Sequence, residues 1–192
     1  ADVQFRQVQQ GDVLVNFRRP VPPTVVQDLQ RLPGVIDAEP YRTEPVKVSL
    51  RGRSEDTALS GYRGDAQLLR VVDETRGAVA MPPHGVVLSA LLARELGARV
   101  GDRITLDFRL WNRRQVQVEV VDIVHTMFGK LLFMNLDAMN RLAGDGDGVA
   151  DAALQVDPAA MTAFWTAVKG APTIASVFDK AGSYEAFDQR TQ

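Results

Sequence analysis

The sequence predicts an α+β fold in which one lobe is discontinuous along the chain and carries a β-rich lobe as an insertion. Three observations lead to that expectation. A strand–helix–strand pattern occupies residues 13–41, the same pattern returns over residues 153–178, and the stretch between reads mainly as strands punctuated by turns. With 192 residues, 45% of them hydrophobic, the chain is long enough to bury the core such a fold needs.

Residues 13–17 alternate as a strand, and Pro20, Pro22 and Pro23 predict its end because proline cannot donate to a ladder. Thr24 and Gln27 have capping-box spacing. Val25, Leu29 and Leu32 then lay one apolar stripe on a short helix closed by Pro33-Gly34, and residues 35–41 read as extended again. Toward the other end, residues 153–156 are strand-like, Asp157 is a good N-cap and Pro158 suits a first helical position. Met161, Phe164, Trp165 and Val168 fall at i, i+3, i+4 and i+7, which assigns them to a buried helix face. Gly170 stops that helix before a strand at 174–178. Two such units predict a split ferredoxin-like sandwich over residues 1–49 and 149–192, with both helices on one face of a shared sheet.

The remaining residues, 50–148, form the predicted insertion. Residues 46–50 and 57–62 read as strands around the polar tract 51–56. Ile104, Leu106, Phe108 and Leu110 alternate with polar residues, as do Val116, Val118 and Val120 beyond the Trp111–Arg114 connection, and this is the clearest hairpin in the chain. A short helix at 136–142 and a glycine-rich turn at 144–148 lead back to the first lobe.

Charge and composition exclude several functions. The 22 Lys and Arg residues against 24 Asp and Glu give a net charge of −2, so no broad positive field is available for nucleic acid. The absence of cysteine removes disulfides, thiolate metal sites and a cysteine nucleophile. Asp145, Asp147 and Asp151 have the look of a calcium loop, yet an EF-hand register from Asp145 places Val149 and Val156 where oxygen ligands are required. His84 and His125 lie far apart with no metal-ligand spacing. Ser89 lacks the glycine-flanked elbow of a nucleophile and reads instead as a helix N-cap. No catalytic constellation, cofactor site or metal site emerges, and the chain is expected not to be an enzyme.

Residues 127–134 are apolar at nearly every position. Such a run after a strand is more often a buried strand, and its alternative is an exposed contact surface on which Met127, Phe128 and Leu131 meet a partner. No apolar run approaches the roughly 18–20 residues of a membrane-spanning helix. The start at Ala1, without an initiator Met or a signal segment, suits a mature secreted protein or a piece cut from a longer one.

Residues 85–106 are the most diagnostic stretch: a strand enters a Ser89-capped helix, Gly97 relieves its C-terminal end, and Gly101-Asp102 turns the chain into an alternating strand. This passage resembles the "VVLSxxLAxxLGxxxGDxxxL" segment in the extracytoplasmic loop of MacB/FtsX/LolC-type ABC transporter permeases. Leu32-Pro33-Gly34-Val35 is similar to that family's "LPGV", and Met134 to Leu142 resembles its "MDLxxLNRLL" helix. The resemblance implies a porter-like lobe with an inserted lobe, placed on the periplasmic side of the cytoplasmic membrane. It further implies a coupling role, in which the domain binds partner or cargo and passes its conformation to the chain's own transmembrane helices. The implied partners are a second permease subunit, a cytoplasmic ATPase acting indirectly, and a periplasmic adaptor or lipoprotein. Two alternatives stand beside it. A helix ending in "LG" before a "GD" turn also occurs in double-psi-barrel cofactor domains, and the other alternative is a free-standing secreted binding protein with a ligand cleft between lobes.

Overall fold

The structure, a computed structural model, describes residues 13–109, 114–144, 146–171, 173–179 and 184–186. In chain order its elements are β1 (Val13–Val21), α1 (Thr24–Gln30), β2 (Val35–Leu50), β3 (Arg53–Tyr62), β4 (Val71–Asp73), β5 (Gly77–Val79), β6 (Val86–Ser89), α2 (Ala90–Leu96), β7 (Arg103–Phe108), β8 (Arg114–Val124), β9 (Leu132–Asn135), α3 (Leu136–Ala143), β10 (Val149–Val156), a 3-10 turn (Pro158–Ala160), α4 (Met161–Lys169), β11 (Ile174–Asp179) and β12 (Tyr184–Ala186). The chain divides into two units at Tyr41–Arg42, inside β2, and at Gly146–Asp147, with Gln67–Leu69 grouped with the terminal segments. The fold is mixed α/β and dominated by sheet. Val3 and Phe187, which a membrane-anchored loop would bring close together, lie outside the described residues.

The unit built from the terminal segments holds an antiparallel sheet of order β12-β11-β1-β10-β2. Alternation explains its core: Val13, Val15 and Phe17 on β1 and Ala152, Leu154 and Val156 on β10 are buried with Phe164 and Val168 of α4. Helix α1 links β1 to β2, and α4 links β10 to β11. On β2 the buried Glu39 carboxylate accepts from the Leu68 N–H at 3.0 Å and from those of Gln67 and Leu69, so a short loop segment is tied to this sheet.

Three expectations need correction in this unit. Strand β1 runs through Pro20 to Val21 rather than stopping before the prolines. Its register against β10 shifts between Asn16 and Val21, and an irregular ladder tolerates a residue without an N–H. The Thr24–Gln27 capping box does not form: α1 begins at Thr24 after Pro23 with no side-chain cap, so Thr24 is already helical. In α4, Phe164 and Val168 are buried, but Met161 and Trp165 are only partly covered against the same core. The helix begins one turn later than expected because Asp157 caps the 3-10 turn, its carboxylate accepting from the Ala159 N–H at 3.0 Å.

The second unit closes on itself. Its strands pair in the order β2-β3-β9-β6-β8-β7, and β7 returns to pair with β2, giving a six-stranded circuit without a free edge strand. Pairs β3–β9 and β6–β8 are parallel. The interior is filled by Val46, Val48, Leu59, Val86, Leu88, Ile104, Leu106, Phe108, Val120 and Met134, with Leu92 and Leu96 of α2 and Met139 of α3 packed on it. The expected hairpin of residues 104–120 is present as β7–β8, its connection at 110–113 lying outside the described residues. The polar tract 51–56 is not a loop: the turn is Arg51-Gly52, and β3 begins at Arg53. Expected strands at 35–41 and 46–50 are one strand, which continues through Pro40 and Pro45, its burial alternating regularly from Arg42 onward.

Candidate partner-binding surface

The apolar run at 127–134 splits between the two fates expected of it. Leu132, Phe133 and Met134 form β9 and are buried, whereas Met127 and Phe128 stand 50% and 55% exposed in the loop before it. Leu131 is half-buried between them. Exposure of single apolar residues is ordinary. What sets this loop apart is how firmly its two ends are held.

At one end, β8 finishes at Val124, and the His125 N–H donates to Asp73 Oδ2 at 2.9 Å while the His125 carbonyl accepts from the Glu74 N–H. Asp73 is 1% exposed, and its carboxylate also accepts from the N–H groups of Thr75 and Arg76 and from the Thr75 hydroxyl. The His125 N–H and then the Arg76 N–H hold this carboxyl well below the usual range against the opposing effect of burial, so it stays charged and accepting. Arg76 in turn reaches both oxygens of Asp122 on β8, at 3.0 and 3.1 Å, in a forked pair.

At the other end, Ser89 acts through three bonds. Its hydroxyl donates to the Gly129 carbonyl at 3.0 Å, and its oxygen accepts from the Leu131 N–H at 2.9 Å and from the Leu92 N–H, which caps α2. The side chain is fully buried, so the N-cap role inferred from sequence is present and a nucleophilic role has no access. Thr57 donates its hydroxyl to the Lys130 carbonyl at 2.6 Å, and the Lys130 ammonium meets Glu55 at 3.1 Å. Between these anchors Gly129 turns at φ +93, with the Thr126 hydroxyl donating to the Phe128 carbonyl at 3.2 Å. A thioether and a phenyl ring are thus presented to solvent on backbone that is already ordered. A partner meeting them loses little further chain entropy on binding.

Other residues singled out by sequence are not brought together. Asp151 accepts from the Asn16 side-chain amide at 2.6 Å, Asp147 is exposed, and Asp145 lies outside the described residues. Among the described residues no group of three or more His, Asp or Glu side chains is placed to hold a metal ion, and no helix is long and apolar enough to cross a membrane. Tyr62, buried against Phe133 with ring centroids 5.9 Å apart, has its phenol pushed up to about 12 by burial and is not a base at ordinary pH. The Asp73–Arg76–Asp122 anchor was not found from sequence. Its one local sign is the Asp73-Glu74-Thr75-Arg76-Gly77 turn composition, whereas its target at His125 is 52 residues away.

Comparison with known proteins fits this architecture. The sequence profile of the MacB-like periplasmic core domain matches residues 2–170. The fold is similar to the periplasmic region of MacB from Actinobacillus actinomycetemcomitans, with a TM-score of 0.55 and 11% identity over 91% of each chain. It is also similar to the extracellular domain of the noncanonic ABC-type transporter YknZ from Gram-positive bacteria, with a TM-score of 0.54 and 12% identity over 77% of this chain and 84% of that one. No curated protein matches the chain by sequence.

Proposed function

The chain belongs to the MacB-like periplasmic core domain family, the extracytoplasmic part of an ABC transporter permease, and we propose that it works there by capturing a partner or cargo through Met127, Phe128 and Leu131 and relaying the event to the membrane helices. The domain is not an enzyme. In this reading the energy comes from a cytoplasmic ATPase acting through a second permease subunit and the chain's own membrane helices. The captured molecule is a periplasmic adaptor, a lipoprotein or the cargo itself. The observation that carries the proposal is the tethered loop with its exposed Met127 and Phe128.

We also read the terminal unit as a split ferredoxin-like, porter-like lobe. Its antiparallel order β11-β1-β10-β2, with α1 and α4 as the two crossover helices, supports this. The closed circuit of the second unit is the one observation that favours the double-psi-barrel alternative. Against it, the glycines of the "LG" and "GD" turns serve other ends: Gly97, at φ +68, closes α2, and Gly101 donates its N–H to the Val120 carbonyl, so neither is arranged as a phosphate loop.

The test is a photo-crosslinking residue at position 127, placed with and without Phe128→Ala in the full-length permease in its native membrane, read together with transport. Phe128→Ala is expected to reduce both the crosslink to an extracytoplasmic protein and transport by about tenfold, with an unchanged melting temperature for the purified domain. Full transport and an unchanged crosslinking pattern in Phe128→Ala would sink the proposal.

A further inference from the structure

A second surface of the six-stranded unit, formed by two turns away from the Phe128 loop in sequence, has a chemistry that partner capture by that loop does not use. The β2–β3 hairpin turns at Arg51 and Gly52, with φ +44 and +80; Arg51 is the one non-glycine among the described residues with positive φ. An arginine is strained in that region, where asparagine or glycine is usual. Its guanidinium donates to the Gly97 carbonyl at 2.9 Å and to Asp102 Oδ2 at 3.3 Å, tying the hairpin to the loop between α2 and β7. The Arg53 guanidinium lies over the same loop, since a Cβ on Gly97 would stand 3.3 Å from its Nη1. Arg99 donates its N–H to Asp102 Oδ2 at 2.9 Å, and its guanidinium adds to the positive field at that carboxylate. Beside them Val100 is 59% exposed.

Four other exposed cations of this unit are each matched by a carboxylate: Arg63 with Asp65, Arg76 with Asp122, Arg109 with Asp56 and Lys130 with Glu55. Here a single carboxylate, Asp102, faces both Arg51 and Arg99, and Arg53 makes no ion pair among the described residues. The excess is local, because the chain as a whole carries −2.

We infer that the Arg51–Arg53 turn and the Arg99–Asp102 turn form a docking surface for an acidic, extended segment of a partner protein. Guanidinium groups pair carboxylates in a forked geometry, and Val100 supplies one apolar contact between the charges. A membrane surface fits less well. Residues 51–53 and 98–103 include no aromatic side chain and no long aliphatic one to enter the headgroup boundary, and the fixed Asp102 carboxylate repels a uniformly anionic sheet of lipid.

The experiment measures fluorescence anisotropy of a labelled peptide of alternating Glu and Leu, and of its Gln–Leu counterpart, against the purified chain. Salt is varied in parallel. The Glu peptide is expected to bind with strong salt dependence and the Gln peptide not to bind. Arg53→Glu with Arg99→Glu is expected to weaken binding about tenfold or more with the melting temperature unchanged, since both side chains are exposed. Arg63→Glu is expected to leave binding as it is, and so is Phe128→Ala, which separates this surface from the proposed capture loop. Absence of Glu-peptide binding overturns the inference. Equal weakening by Arg63→Glu overturns it in favour of diffuse attraction. Tighter, arginine-dependent binding to phosphatidylcholine vesicles containing phosphatidylglycerol assigns the surface to lipid instead.

Discussion

Phe164 and Trp165 are neighbours on α4, with ring centroids 5.9 Å apart in an edge-on arrangement, yet they sit in different environments. Phe164 is fully buried among Val13, Val15, Leu154 and Val177, while Trp165 covers the rim of that core. Removing the phenyl ring leaves a void that the sheet cannot close, whereas water can occupy part of the space left by the indole. Phe164→Ala is therefore expected to destabilise the protein by about 3–5 kcal/mol and Trp165→Ala by roughly half of that, as read from urea unfolding midpoints. Equal losses would mean that the indole is packed as deeply as the phenyl. At this scale a 3.6-residue stripe identifies the face that meets the core, but the depth of each residue along it depends on the curvature of the sheet beneath.

Helix α2 shows how one short element supports a distant loop. It has seven residues, too few to persist on its own propensity, and is held by packing of Leu92 and Leu96, by Ser89 at its start and by Gly97 in the left-handed conformation at its end. The Ser89 hydroxyl that caps it also clamps Gly129 and Leu131. Ser89→Ala is expected to cost about 1–3 kcal/mol, because the Leu131 N–H and the Gly129 carbonyl lose a buried partner together with the cap. Unlike a pure cap loss, it is also expected to make the chain after Phe128 more susceptible to chymotrypsin. An unchanged cleavage rate at that site, alongside reduced stability, would show that Asp73 and Thr57 hold the loop without Ser89.

On the scale of the whole molecule the described residues form two hydrophobic cores, one per unit. The core of the six-stranded unit is drawn from a nearly continuous stretch, Arg42–Ala66 and Arg70–Gly146, and its strands close without borrowing a partner from outside that stretch. A fragment of residues 42–146 is therefore expected to fold cooperatively by itself, as seen in dispersed amide NMR resonances and a single thermal transition. The terminal unit pairs Val13 with Leu154 and so cannot form until both ends of the chain are present. A fragment ending at Gly146 that showed native-like chemical shifts for residues 13–41 would contradict this.

The alternating and helical periods of the sequence located the β7–β8 hairpin and α4, but not β4, β5 or the start of β3 at Arg53. Caps, turns and alternation act between residues a few positions apart and so were legible in residues 85–106, whereas the family was read from the resemblance of that stretch to a MacB/FtsX/LolC-type passage. The same signals could not show that β2 through β9 close into a circuit, since the parallel pairs β3–β9 and β6–β8 join segments with no turn between them to mark the pairing. Nor could they divide the apolar run 127–134 into an exposed Met127–Phe128 tip and a buried β9. That division rests on bonds from Asp73, Thr57 and Ser89, each far along the chain, and only tertiary structure brings their oxygens within reach of the loop.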